Sequence, residues 1–156
     1  MSATHDHTDA EGALGAEAAG ATPSLPFRWT SAWRWGVVAC YMMVIYALSS
    51  QTSFPRFVSA FSDKLMHFVA YGGLSALVVW ALARGRWGSV TLKTVAVATL
   101  ICTAYGLSDE IHQLFVPRRS YDLRDLLADA TGAFVAAASV WAWSIISRGR
   151  GRNHGV

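Results

Sequence analysis

Four apolar runs, at about 33–49, 65–83, 90–107 and 126–146, follow one another with only short polar connections between them. At 1.5 Å per residue each is about long enough, the first only barely, to cross a hydrocarbon core of roughly 30 Å as a helix. Lipid offers the backbone no hydrogen-bonding partner, so a crossing segment must satisfy its own N–H and C=O groups. None of the runs alternates with the ten-residue pattern of a transmembrane barrel. The expected fold is therefore all-α: a polytopic integral membrane protein built as a four-transmembrane-helix bundle.

The rest of the composition agrees. Apolar residues make up 53% of the chain and charged residues only 15%, against roughly a quarter charged in an ordinary soluble domain. A net charge of +3 does not point to nucleic acid, because the Arg residues sit at the ends of apolar runs and not in a stripe interleaved with aromatics. Cys40 and Cys102 both fall inside apolar runs, which excludes a disulfide framework or a repeated-Cys zinc site and predicts two small buried hydrophobes. Residues 1–28 are rich in Ala, Gly, Ser, Thr and acids without apolar periodicity, and are expected to be a disordered cytoplasmic tail in which His5 and His7 are solvated. The first run lacks a small-residue cleavage site, so it is read as a retained helix and not a signal peptide. The transmembrane domain is placed at 33–147 and a basic cytoplasmic tail at 148–156.

Orientation follows from the placement of Lys and Arg. With the N-terminus cytoplasmic, Arg28, Arg34, Arg84, Arg86, Lys93, Arg148, Arg150 and Arg152 lie inside, and Arg56, Lys64, Arg118, Arg119 and Arg124 outside. This predicts a multi-pass protein of the cell membrane with both termini in the cytoplasm. All seven Trp fall at the cytoplasmic ends, where indole suits the headgroup layer. The outer connections instead mix acid with base, which the topology does not require.

Three constellations gather there. Lys64, His67 and Tyr71, at intervals of three and four, form one stripe descending from the outer surface; Asp63 before them suits a helix cap. Lys64 alone would be read as snorkelling to the interface, but an imidazole in an apolar run needs a partner. At the end of the third run, Ser108-Asp109-Glu110-Ile111-His112-Gln113 packs carboxylates and imidazole into one and a half turns. If the helix continues, Asp109, His112 and Gln113 share a face, with Glu110 and Gln113 on the next. The fourth run opens with Asp122, Asp125 and Asp129 in line with Gly132. Asp129 should be protonated or paired with Arg119, Arg124, Lys64 or His67, since an unpaired carboxylate in the membrane is costly. Ala128, Gly132 and Ala136 make a small-residue stripe for close helix approach.

These residues resemble a family, the VanZ-like membrane proteins, named for a teicoplanin resistance determinant. The resemblance rests on Asp63-Lys64-Leu65-Met66-His67-Phe68-Val69-Ala70-Tyr71-Gly72, on Gly106-Leu107-Ser108-Asp109-Glu110-Ile111-His112-Gln113-Leu114-Phe115-Val116-Pro117, and on Arg119 followed by Asp122, Asp125 and Gly132. It spans about Tyr46 to Phe134, with Ser49, Ser50 and Gln51 at a position the family also tends to keep polar. The chain departs at Arg118, where the family usually has Gly, and at Asp129, where it usually has Asn. The resemblance implies a membrane protein of the cell envelope, linked in the named member to tolerance of a lipoglycopeptide that acts on envelope precursors.

Two functions compete. In the first, the outward polar site binds or modulates a lipid-linked phosphate or peptidoglycan-related ligand among membrane lipids. Lys64, Arg118, Arg119 and Arg124 supply donors, while His67, Tyr71, Asp109, Glu110, Gln113, Asp122, Asp125 and Asp129 shape the site. In the second, ranked lower, a membrane-embedded hydrolase or transferase uses Asp109 or Glu110 as base, His67 or His112 as proton shuttle and Arg119 as anion stabiliser. A divalent metal on Asp109, Glu110, His67 or His112 would favour that version. A transporter ranks last, because the polar residues crowd one side instead of lining a path across. Composition and spacing assign neither cofactor nor oligomeric state.

Overall fold

The computed structural model describes residues 29–51 and 60–153; the N-terminal tail with His5 and His7, Arg56 and the last three residues lie outside them. The described chain forms four α-helices: α1 Trp29–Ser49, α2 Ala60–Leu82, α3 Leu92–Gln113 and α4 Leu123–Asn153, with a 3₁₀ turn at Trp87–Ser89 before α3. Among the described residues there is no strand. The helices have 21, 23, 22 and 31 residues, so each exceeds the roughly 20 needed to cross a hydrocarbon core. By length and apolarity together three qualify, in stretches Ala32–Ser49, Asp63–Leu82 and Leu123–Arg150. The helix α3 falls short on apolarity because only its part at 92–107 is apolar, so that every stretch of crossing length takes in Ser108 and Asp109. The helix α4 continues through the basic residues Arg148 and Arg150, and Arg148 donates to the Val90 carbonyl at 3.4 Å.

Local chemistry sets the helix ends. After α2, Arg84 and Gly85 both take positive φ (55° and 75°), and the Gly85 N–H donates to the Trp80 carbonyl at 2.9 Å. That closes the helix with the left-handed turn favoured at C-termini. Thr91 begins α3 with a reciprocal capping box. Its Oγ1 accepts from the Thr94 N–H and the Thr94 Oγ1 accepts from the Thr91 N–H, both at 3.3 Å. Asp122 caps α4, its Oδ1 accepting from the Arg124 N–H at 2.9 Å.

Side-chain ties fix the topology. Met42 and Ser49 of α1 meet Tyr105 and Gln113 of α3 in that order: the Tyr105 hydroxyl donates to the Met42 carbonyl at 2.6 Å, and the Gln113 amide to Ser49 Oγ at 3.0 Å. Residues 64, 67 and 75 of α2 meet 125, 129 and 133 of α4, again in order. Thus α1 runs parallel to α3 and α2 to α4, as an up-down-up-down bundle requires. The pair α2 and α4 pack tightest: a Cβ on Gly132 would overlap the Phe68 carbonyl, and one on Gly72 would stand 3.4 Å from the Gly132 carbonyl oxygen and 3.8 Å from Ala136. The small-residue stripe therefore serves close approach.

The core is made by Leu74, Val78, Val79, Val95, Ala98, Cys102, Ala133 and Ala137. Cys102 is buried as expected, but Cys40 is exposed: α1 packs on one side only, and Cys40 sits with Met43 and Val44 on its outer face. The outer surface carries large apolar residues on every helix, among them Met43, Leu48, Val69, Leu100, Leu127 and Ile146. Along α3 the exposed positions Leu92, Ala96, Leu100, Ala104, Leu107 and Ile111 make an apolar stripe, with Lys93 and Ser108 the exposed polar residues near its two ends.

Candidate functional site

The C-terminal ends of α1 and α3 and the N-terminal ends of α2 and α4 meet at one end of the bundle, which brings the three polar constellations together. The opposite end holds Trp33 and Trp80, edge to face at 4.9 Å between centroids, with the Arg34 guanidinium 5.9 Å from the Trp33 ring.

At the polar end, Lys64 ties α2 to the start of α4 by pairing with Asp122 at 3.0 Å and with Asp125. One turn deeper His67 Nδ1 lies 3.0 Å from Asp129 Oδ1, with the carboxylate fully buried. Of the partners open to Asp129 from the sequence, the fold selects His67. Tyr71, a turn further, is buried with its ring 6.4 Å from that of His67 and 6.1 Å from that of Tyr105. The stripe expected on α2 thus faces the acidic stripe expected on α4, and Lys64 is ion-paired where snorkelling alone would leave it in water.

Asp109, Glu110 and Gln113 are all buried. Glu110 Oε2 accepts the Asp122 backbone N–H at 2.9 Å and so anchors the cap of α4. His112 departs from the face expected for it: it turns towards α1, 3.0 Å from Ser50 Oγ, with its ring 4.4 Å from that of Tyr46 and tilted by 35°. At 100° per residue, position 112 is rotated away from 109 and 113 once those two point inward. Asp63 also differs from expectation, because α2 begins at Ala60 and Asp63 lies within its first turn instead of at the cap.

A cavity of ≈ 80 Å³ opens among these side chains, room for several waters or a small anionic group. Its polar lining is Ser49, Asp63, His67, Tyr71, Asp109, Gln113 and Arg119, and its apolar lip includes Ile45, Leu48 and Met66. Leu48 and Met66 are exposed on the bundle's outer surface. The Tyr71 hydroxyl, Asp109 Oδ1, Glu110 Oε1 and Asp129 Oδ2 are buried with no hydrogen-bond partner among protein atoms. Buried polar atoms are ordinarily satisfied; of these four, those of Tyr71 and Asp109 belong to cavity-lining residues, which leaves the cavity with unmet hydrogen-bonding capacity.

Electrostatics favour acid. Asp63, Asp109, Glu110, Asp125 and Asp129 stand against Lys64 and Arg119. Outside the spanning segments, Asp122 is held below the ordinary carboxylate range, first by the Arg124 N–H and then by Lys64. Among the described residues, the group whose ligand atoms converge within 4.8 Å of one another is Asp63, His67 and Asp125, a different set from the four weighed on sequence grounds. Asp63, expected as a helix cap, and Ser49, expected only as part of a polar position, both line the cavity. Gly106 went unassigned, yet a Cβ there would come 2.8 Å from Asp129 Oδ2 and 3.3 Å from the Tyr71 ring. Its place three residues before Asp109, on the same helix face, was the signal.

An all-helical chain with membrane-length apolar helices and a buried polar cavity at one end defines an integral membrane protein with an embedded polar site. The model of one family, VanZ/LLP1, matches residues 22–146. The chain belongs to that family and is a VanZ-like membrane protein. No curated protein and no solved structure matches it.

Proposed function

We propose that the protein crosses the cell membrane four times with both termini in the cytoplasm, and that its cavity receives the polar headgroup of a lipid-linked or peptidoglycan-related envelope ligand. The observation that carries this reading is the cavity's two-sided lining. Polar, partly unsatisfied groups form its interior, and exposed Leu48 and Met66 at its lip are positioned for an acyl or prenyl chain lying in the bilayer. A soluble ligand has no use for such a lip. Arg119 supplies the fork of donors suited to phosphate. The apolar stripe along α3 supports the fourth crossing, since Asp109, Glu110 and Gln113 are turned inward and most of its outer face is apolar.

Binding of a photoactivatable polyprenyl phosphate to the protein in nanodiscs tests the reading. Charge reversal of Arg119 to Glu should abolish labelling while leaving helical content and thermal unfolding in place; undiminished labelling would sink it. Orientation is tested by single Cys at Ser120 or Ser89 in a Cys-free background, with an impermeant maleimide on intact cells. Labelling at position 120 alone is expected.

A second reading is favoured by the His67–Asp129 pair. A buried carboxylate orienting an imidazole through Nδ1 is how a general base is prepared, so a membrane-embedded hydrolase or transferase is the alternative. Turnover of the same lipid, lost in His67→Gln and Asp129→Ala, would establish it. Any glycopeptide tolerance would follow from either activity and is tested by susceptibility of a deletion strain.

A further inference from the structure

We propose that Asp63, His67 and Asp125 bind a divalent transition-metal ion at the mouth of the cavity. The proposal rests on the headgroup reading and deepens it: the ion would present a cationic face to the ligand's phosphate.

Two carboxylates and an imidazole are hard and borderline donors together, the mixture that suits Mn²⁺ and Zn²⁺ better than Mg²⁺ or Ca²⁺, which prefer oxygen throughout. The three ligand atoms lie within 4.8 Å of one another. Tetrahedral bonds of about 2.0–2.2 Å set ligand atoms roughly 3.3–3.6 Å apart, so the three must draw together by up to about 1.5 Å, which rotation of the two Asp side chains can supply. His67 is already arranged as metal-binding histidines are. Its Nδ1 is engaged by buried Asp129 at 3.0 Å, which fixes the tautomer and leaves Nε2 as the ligand nitrogen. Lys64 now sits on Asp125 but has a second carboxylate in Asp122 at 3.0 Å, so it can yield Asp125 without losing its ion pair.

An independent observation points the same way. Asp63 and His67 line the cavity together with Asp109 and Tyr71, which are 4% and 1% exposed and carry Oδ1 and hydroxyl atoms with no partner. Three protein ligands leave coordination positions open for water or a phosphate oxygen, and those two atoms offer unmet hydrogen-bonding capacity in the same cavity. The ion also resolves a conflict in the site. A cavity with more carboxylates than cations repels an anionic headgroup, whereas a bound divalent cation attracts one.

The test uses the full chain, untagged, in nanodiscs, with His5→Ala and His7→Ala so that the tail contributes no ligands. After stripping with EDTA and dialysis, Mn²⁺ and Zn²⁺ are titrated by calorimetry, with Mn²⁺ also followed by electron paramagnetic resonance. One ion per chain is expected. Asp63→Asn should weaken binding about tenfold or more, with Asp63→Glu restoring part of it. Thermal unfolding should shift upward with metal in the parent chain and not in Asp63→Asn. No binding of either ion, or equal binding to Asp63→Asn, overturns the proposal even if polyprenyl phosphate binds in EDTA. Metal binding that Asp63→Asn weakens, without any phosphate binding, upholds the metal site and removes the headgroup reading instead.

Discussion

His67 Nδ1 and Asp129 Oδ1 face each other at 3.0 Å between α2 and α4, and the pair is buried between helices that touch backbone to backbone at Phe68 and Gly132. It is both a side-chain tie between those helices, one step above the bond from Ser75 to the Ala133 carbonyl, and the support of the cavity's imidazole. Removing one partner leaves the other buried without compensation. Asp129→Ala should cost about 3–5 kcal/mol, measured by denaturation in mixed micelles. Asp129→Asn, which keeps an acceptor for the imidazole, should cost less than half as much. In a double-mutant cycle, His67→Ala with Asp129→Ala should cost clearly less than the two single losses added. Additive costs would show that the pair is not coupled.

Gly106 leaves the space in which Asp129 and Tyr71 sit. Gly106→Ala brings its Cβ to 2.8 Å from Asp129 Oδ2, and the overpacking should cost about 1–3 kcal/mol. Gly132→Ala should cost more, because its obstacle is the Phe68 backbone, which cannot rotate away. Gly36→Ala meets nothing within 4 Å and should be neutral or gain up to about 1 kcal/mol from helix propensity. Thermal melts of the three variants in one detergent test the order.

Arg118 takes φ 67° in the connection before α4, a left-handed conformation that costs a side-chain-bearing residue roughly 1–2 kcal/mol. The VanZ-like pattern usually has Gly here, and the dihedral supplies the physical reason. Arg118→Gly should therefore stabilise the protein by about 1 kcal/mol, partly offset by the greater freedom of the unfolded chain. Arg118→Ala, which keeps the strain and loses only the charge, should not.

Asp122 caps α4 and pairs with Lys64, and its carboxyl titrates below the ordinary value of 3.8. A depressed folded-state pKa contributes stability that is complete above the unfolded value and is lost as pH falls through the folded one. Asp122→Asn keeps a capping acceptor but loses the ion pair. The stability gap between parent and variant should be full at pH 6–7, begin to close below about pH 4 and vanish well below it. A gap independent of pH would assign the effect to the cap alone.

Much of this protein was legible in its sequence because lipid leaves so few solutions. A run of apolar residues of crossing length must be a helix, and the order of the runs with their polar ends was enough to predict that Lys64, His67, Asp109, Glu110, Asp122, Asp125 and Asp129 would gather at one end. The three- and four-residue spacings on α2 and α4 likewise identified the faces that meet, because helical period is a local property. What spacing does not carry is the rotation and depth of one helix against another, which packing sets. Only the tertiary structure decided that Asp129 pairs with His67 and Lys64 with Asp122 and Asp125. Only packing turned His112 away to Ser50 and left Cys40 on the outer face. It also made Asp63 part of the cavity and Gly106 the space for Asp129. The choice of His67 for Asp129 is made where Gly132 lets α2 and α4 touch, and the placements of His112 and Cys40 by how α1 packs.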